Sequence, residues 1–248
     1  MVEKRKFSEE KLNLIMEFFK EKRNISLTRE EIIDKCTDAP EELSKDFIKV
    51  INSDISIKDY YCQEDYIFDL VAVSDWKLFK ERIAFAIETT SKNKAKSIID
   101  FGAGCGFACL AFAKKGFETT YVDYKGSTWD FAEWLFKREG VKVRMITSDD
   151  YFLEDEVYDV TYSNDVLEHV LHLGRTLIKF SESTKMACIM FYCFSQEGNF
   201  KQHIHLNPGA QNYLYNIFDM HGFHYHKVLP ENLFVRKPHF GYFPEGLK

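Results

Sequence analysis

Proline and glycine are scarce in this chain, five and twelve among 248 residues, so no Pro/Gly-rich linker or low-complexity tract divides it. No apolar run approaches the roughly 20 residues that span a bilayer. The N-terminal MVEKRKFSEEKL lacks the apolar centre of a secretory signal, and a cytoplasmic protein with no membrane partner is expected. The six cysteines (Cys36, Cys62, Cys105, Cys109, Cys188, Cys193) form no C-x-x-C and no pair of pairs, which argues against a zinc framework and leaves reduced, mostly buried thiols. Excess positive charge is missing too. The net charge is −6, and the first 59 residues hold 12 Lys/Arg against 14 Asp/Glu, so the usual electrostatic footprint of a nucleic-acid surface is absent.

What is present is a mixed α/β pattern behind a helical leader. Ser8 can cap a helix running to about Arg23, with Leu12, Ile15, Met16 and Phe19 on one face. Thr28 and Glu31 form a capping box for a second helix ending near Cys36, and Pro40 opens a third carrying Leu43, Phe47, Ile48 and Ile51. ISIKDYY and YIFDLVAV then read as a small hairpin. Helices followed by a hairpin can make a winged helix that reads nucleic acid, or a lid or homodimerisation arm; the acidic balance favours the latter. Residues 1–72 are therefore expected as a helical N-terminal cap and 73–248 as the main domain.

From Lys96 onward strands and helices alternate. Strands are expected at 97–101, 118–123, 142–147, 158–163 and 186–194, with helices at 75–89, 106–115, 127–139, 165–172, 174–184 and 208–221. This is the rhythm of a parallel sheet with helices on both faces. The final runs, FHYHKVL and LFVRK, are separated only by Pro230–Asn232. A connection that short makes an antiparallel hairpin, because a parallel return needs a crossover of about a dozen residues.

The first strand leads into SIIDFGAGCGF. Gly102, Gly104 and Gly106 let the turn tighten and let a ligand lie against the backbone. The dinucleotide pattern G-x-G-x-x-G would need glycine at 107, where Phe107 stands, and no Gly-Lys-Ser/Thr follows to make a phosphate loop. Acids recur instead at expected strand ends. Asp100 can meet a cation, Asp123 can accept ribose hydroxyls, and Asp149 and Asp150 are in reach of an adenine. A phosphate-free, positively charged adenosine such as S-adenosylmethionine (SAM) has that character.

In order and spacing, D-F-G-A-G-C-G, V-D, S-D-D and YDVTYSNDVLEHV resemble the successive motifs of class I SAM-dependent methyltransferases over about residues 96–237. The resemblance implies a Rossmann-like seven-stranded mixed sheet whose last strand is antiparallel. It also implies that Asp100, Gly102, Ala103, Gly104 and Gly106 hold the methionine portion and Asp123 the ribose, with Tyr124 beside it. Asp149 and Asp150 would meet the adenine, and Asn164 the methionine end.

Methyl transfer from a sulfonium needs alignment, and a hydroxyl acceptor also needs a base or a metal. Asp165, Glu168 and His169 fall at i, i+3 and i+4, one face of the expected helix 165–172. A narrower resemblance, to ubiquinone-pathway O-methyltransferases and small-RNA 2′-O-methyltransferases, implies an acid-x-x-Glu-His site for Mg²⁺, Mn²⁺ or Fe²⁺, with Asp165 replacing the usual glutamate. The blander reading makes DVLEHV cofactor-loop architecture. His169 alone as general base is the simplest proposal, with His203 and His205 as further candidates. Two functions stand: O-methylation of a small polar metabolite or nucleotide-linked sugar, and RNA or DNA methylation served by a winged N-terminal module. The Asn/Asp-Pro-Pro-Tyr/Phe run of amino-directed DNA methyltransferases is absent. Tyr60, Tyr61, Tyr66, Trp76 and Phe200 can line an acceptor pocket or fill a core, and the core is favoured.

Overall fold

The computed structural model describes residues 7–51, 56–194, 208–228 and 231–236. Along the chain the helices are α1 (Glu9–Phe18), α2 (Arg29–Ile51), α3 (Ile57–Tyr61), α4 (Asp65–Val73), α5 (Lys77–Lys92), α6 (Phe107–Lys114), α7 (Ser127–Arg138), α8 (Ser148–Leu153), α9 (Leu173–Ser183) and α10 (Pro208–Met220). The strands are β1 (Ser97–Phe101), β2 (Glu118–Asp123), β3 (Arg144–Thr147), β4 (Tyr158–Asn164), β5 (Thr184–Phe191), β6 (Phe223–Val228) and β7 (Glu231–Arg236). They fall into two compact units. One comprises Met1–Arg82, Gly104–Phe107 and Tyr124–Gly140; the other comprises Ile83–Ala103, Ala108–Asp123 and Val141–Lys248.

The first unit is helical. The Ser8 hydroxyl caps α1, and a π-helical turn (Phe19–Arg23) extends it to Asn24, which ends it in the left-handed region at φ 54°. At the start of α2 the Thr28 amide donates to the Glu31 carboxylate (2.7 Å) and the Glu31 amide to the Thr28 hydroxyl (3.2 Å), the expected reciprocal box. The sequence reading places two helices here, but α2 is continuous and Pro40 lies inside it. Proline forfeits one backbone hydrogen bond, yet its φ is already helical, so the chain carries on.

A larger correction concerns the expected hairpin. ISIKDYY and YIFDLVAV form α3 and α4, and among the described residues preceding β1 there is no strand. The buried positions of α4 are Tyr66, Ile67, Phe68, Val71 and Ala72, a helical spacing that packing selects over the β-propensity of the residues. The core of this unit joins α1, α4 and α7. Phe18 meets Phe131 and Trp134 with ring centroids 5.0 and 5.6 Å apart, and Phe19 stacks on Phe68 at 5.2 Å. Arg23 bridges Glu64 (2.6 Å) and Asp130 (2.9 Å).

The second unit holds a seven-stranded sheet in the order β3-β2-β1-β4-β5-β7-β6. The first five strands run parallel, and β7 is antiparallel to both β5 and β6, as the short connection requires. Alternate residues of β1 serve two cores. Ile98 packs with Ala86 of α5, with Ala108 and Phe112 of α6, and with Val160 and Ile189. Ile99 and Phe101 pack with Tyr151 of α8, Leu177 and Phe180 of α9, and Leu214 and Phe218 of α10. Helices therefore cover both faces, the arrangement a parallel sheet demands, and the fold is Rossmann-like. No helix among the described residues is long and apolar enough to cross a membrane.

Candidate active site

Strand register decides which side chains gather at one edge. Asp100 pairs in register with Tyr121 of β2 and Tyr162 of β4, so Asp123 and Asn164 each project two residues further toward the carboxyl edge. Asp123 pairs with Thr147, the last residue of β3. Open α/β sheets bind ligands at this edge, where the strand order reverses, and β1, with β2 on one side and β4 on the other, is that reversal point.

Beyond β1 the loop takes a backbone that only glycine adopts comfortably. Gly102, Gly104 and Gly106 have φ of 75°, 54° and 76°. A Cβ would lie 2.3 Å from a Val166 methyl at Gly102, 2.7 Å from Leu70 at Gly104, and 2.6 Å from the Phe136 ring at Gly106. The third glycine, one residue early for a dinucleotide fold, is thus fixed by the loop's own conformation. The Gly102 and Ala103 amides donate to the Val122 carbonyl at 2.9 and 3.2 Å, tying the loop to the end of β2 beside Asp123.

Asp100 is buried, and burial pushes its carboxyl up to about 7. The Cys109 thiol donates to its Oδ2 at 3.4 Å and opposes that rise, while the Asp123 charge adds to it. Asp123 is half-buried at its strand end. Tyr124, also half-buried, stacks against Tyr61 at 6.5 Å. Asp149 and Asp150 are exposed and, just past the end of β3, lie in the first turn of α8. Thr147 caps that helix: its hydroxyl accepts from the Asp150 amide (3.1 Å) and donates to the Asp150 carboxylate (2.7 Å).

The segment after β4 departs from expectation. Asp165 adopts φ 53°, and its amide donates to the Phe191 carbonyl at 2.8 Å. The chain then turns instead of forming helix 165–172, so helical spacing no longer puts Asp165, Glu168 and His169 on one face. Asp165 is exposed, whereas Glu168 is buried and accepts from the Cys193 amide at 3.1 Å, which ties this turn to the end of β5. His169 is half-buried, its amide closing the turn onto Val166 at 2.8 Å. Among the described residues no three of His, Cys, Asp and Glu gather as metal ligands would. His203, His205 and Phe200 lie outside the described residues.

Tyr60 and Tyr66 are core residues, and the Tyr60 hydroxyl donates to the Leu43 carbonyl at 2.6 Å; Trp76 is 47 % exposed. Among the described residues no disulfide joins the cysteines. A shallow cavity of about 360 Å³ between α9 and α10, lined by Phe152, Arg175, Lys179 and Tyr213, includes none of the glycine-loop residues. Sequence reasoning missed three features. Val166 lies against Gly102, Cys109 donates to Asp100, and the Lys11 ammonium lies 3.3 Å from the centre of the Phe107 ring. None carries a sequence signal, since each depends on a contact across the fold.

Comparison with known proteins supplies an independent line. A family described as "Methyltransferase domain" matches residues 75–224. No curated protein sequence matches the chain. Among solved structures, an O-methyltransferase family protein from Burkholderia thailandensis is 14% identical, with TM-score 0.58 over 82% of this chain and 71% of its own. Mitomycin 7-O-methyltransferase is 13% identical, with TM-score 0.58 over 83% and 71%. Magnesium protoporphyrin IX methyltransferase from Synechocystis PCC 6803, solved with bound SAM, is 12% identical, with TM-score 0.53 over 94% and 100%. At such identities the likeness is one of fold. The family match spans more than half of the chain, and the chain belongs to the class I SAM-dependent methyltransferase-domain family.

Proposed function

We propose that this protein transfers a methyl group from SAM to a hydroxyl of a small polar acceptor, with His169 as the general base. The observation that carries the reading is the glycine loop at the reversal point of the sheet, flanked by the strand-end acids Asp100 and Asp123. That donor set fits the group. Three glycines remove side chains that would fill the loop, and carboxylates suit an ammonium and ribose hydroxyls where phosphates would be repelled.

When bound, SAM supplies an activated methyl whose bond to sulfur breaks as the bond to the acceptor oxygen forms, the electron pair staying on sulfur. The chain's own residues hold and orient. In this reading Asp100, with Gly102, Ala103, Gly104, Gly106 and Asn164, holds the methionine portion. Asp123 and Tyr124 hold the ribose, Asp149 takes the adenine, and Asp150 is held by the α8 cap. His169 receives the acceptor's proton. The preference for oxygen is supported by His169 and by the names of two of the fold neighbours. The metal alternative loses its shared helix face, because Asp165 and Glu168 have diverged in exposure and partner. The nucleic-acid alternative loses its wing, since those residues are α3 and α4.

Thermal melting with added ligand tests the reading. SAM and its demethylated product S-adenosylhomocysteine are expected to raise the melting temperature and NAD to leave it unchanged. In His169→Gln the same stabilisation is expected while methyl transfer stops. Full turnover in that variant would remove His169 from the chemistry.

A further inference from the structure

The turn after β4 is anchored to the sheet and core around it, and one of its side chains bears on the glycine loop. Asp165 enters the turn at φ 53° with its amide on the Phe191 carbonyl. Leu167 is buried in one core with Leu177 of α9 and with Leu214 and Phe218 of α10. Glu168, only 1% exposed, takes the Cys193 amide at 3.1 Å. Val166 stands among these anchors. A Cβ at Gly102 would lie 2.3 and 2.6 Å from its two methyls, so Val166 fills the space that a side chain at 102 would need. The Ser163 hydroxyl donates to the Phe101 carbonyl at 3.1 Å, which ties the strand leading into the turn to the residue before the loop. Gly102, Val166, Glu168 and Cys193 all belong to the second compact unit.

Of these anchors, Glu168 is the one that holds through a polar side chain. A carboxylate is costly to bury unless it is bonded, and an amide that loses its acceptor is costly in turn. The bond to Cys193 therefore fixes where the turn lies against the end of β5. Gly102 has the opposite character. At φ 75° it uses a freedom that only glycine has, and a free glycine loses more entropy on ordering than any other residue. Val166 packed against it removes part of that freedom before a ligand arrives, and a loop ordered in advance binds more tightly.

We propose that Glu168 is a positioning residue for the cosubstrate: its bond to the Cys193 amide sets Val166 against Gly102 and so preorganises the glycine loop. The inference rests on the reading of that loop as the SAM site. Glu168 acts through Val166 and touches no ligand.

The test is calorimetric titration of the full chain with S-adenosylhomocysteine, well below the melting temperature of each variant. Glu168→Ala and Val166→Ala are each expected to weaken binding about 3- to 30-fold, the range by which a residue outside the ligand's contacts shifts affinity. Glu168→Gln keeps an oxygen for the Cys193 amide and is expected to bind within about twofold of the wild type. The double variant Glu168→Ala/Val166→Ala is expected to be no weaker than the weaker single one, because both changes remove the same support. Wild-type affinity in Glu168→Ala, additive losses in the double variant, or a glutamine variant as weak as the alanine one would overturn the proposal. If Glu168→Ala fails to fold, Val166→Ala and Glu168→Gln decide it, and wild-type affinity in the first or a full loss in the second overturns it. Wild-type protein that does not bind S-adenosylhomocysteine would overturn the cosubstrate reading itself, an outcome distinct from binding that the variants leave unchanged.

Discussion

Asp100 has little water to hold its charge, and that makes it a reporter of pH. In the folded chain its carboxyl titrates near 7, against 3.8 for an unperturbed aspartate. Between those values the folded state keeps a proton that the unfolded state has released. The free energy of unfolding therefore falls as pH rises from about 4 to about 7 and then levels off. The full difference is on the order of 4 kcal/mol. Asp100→Asn removes the titration, so its melting temperature should gain on the wild type steadily from pH 4 to pH 7. A constant gap across that range would show that the buried carboxylate does not titrate there. On the reading proposed for the loop, the ammonium of S-adenosylhomocysteine favours the ionised acid and should flatten the wild-type slope. The residue itself was legible in the sequence as a strand-end acid. Its proton affinity was not, because that arises from burial in the folded chain, which the hydrogen bond from Cys109 only partly offsets.

Elements were most legible where periodicity and punctuation agreed. β1, β2 and the β6–β7 hairpin stand where alternation and short connections place them, and a six-residue strand leaves little room for another reading. The N-terminal helices were misread where composition and spacing conflict. Tyr, Ile, Phe and Val in YIFDLVAV favour a strand by propensity, yet their burial at 67, 68, 71 and 72 is helical. Segment 165–172 failed for the opposite reason. Its charge spacing suits a helix, but the Asp165 amide bonds Phe191 and Glu168 takes the Cys193 amide, both partners about 25 residues away. Pro40 offers a measurable case. Inside α2 it withholds one N–H from the Cys36 carbonyl, so Pro40→Ala should stabilise the protein by about 1–3 kcal/mol. Chemical denaturation measures this, and a loss of stability would mean that the proline ring's packing outweighs the missing bond.

At the scale of the whole molecule, the N-terminal helices do not close their core alone. Phe18 needs Phe131 and Trp134, Arg23 needs Asp130, and the indole of Trp134 donates to Glu21 at 2.8 Å. A chain beginning at Val73 would leave those aromatic residues of α7 without their partners. Losses of that size rival the roughly 5–15 kcal/mol that holds a domain folded. Such a fragment should lack a cooperative melting transition. A sharp transition by circular dichroism would show that α7 tolerates exposure. The sequence reading places a helical cap over residues 1–72 ahead of the main domain, because chain order is what a sequence displays. The structure assigns Gly104–Phe107 and Tyr124–Gly140 to the same unit as the leader. For the gene, this means the leader is not a cassette. Recombination that replaced it upstream of Val73 would also have to find a match for α7 and for half of the glycine loop, so leader and loop are expected to change together through descent.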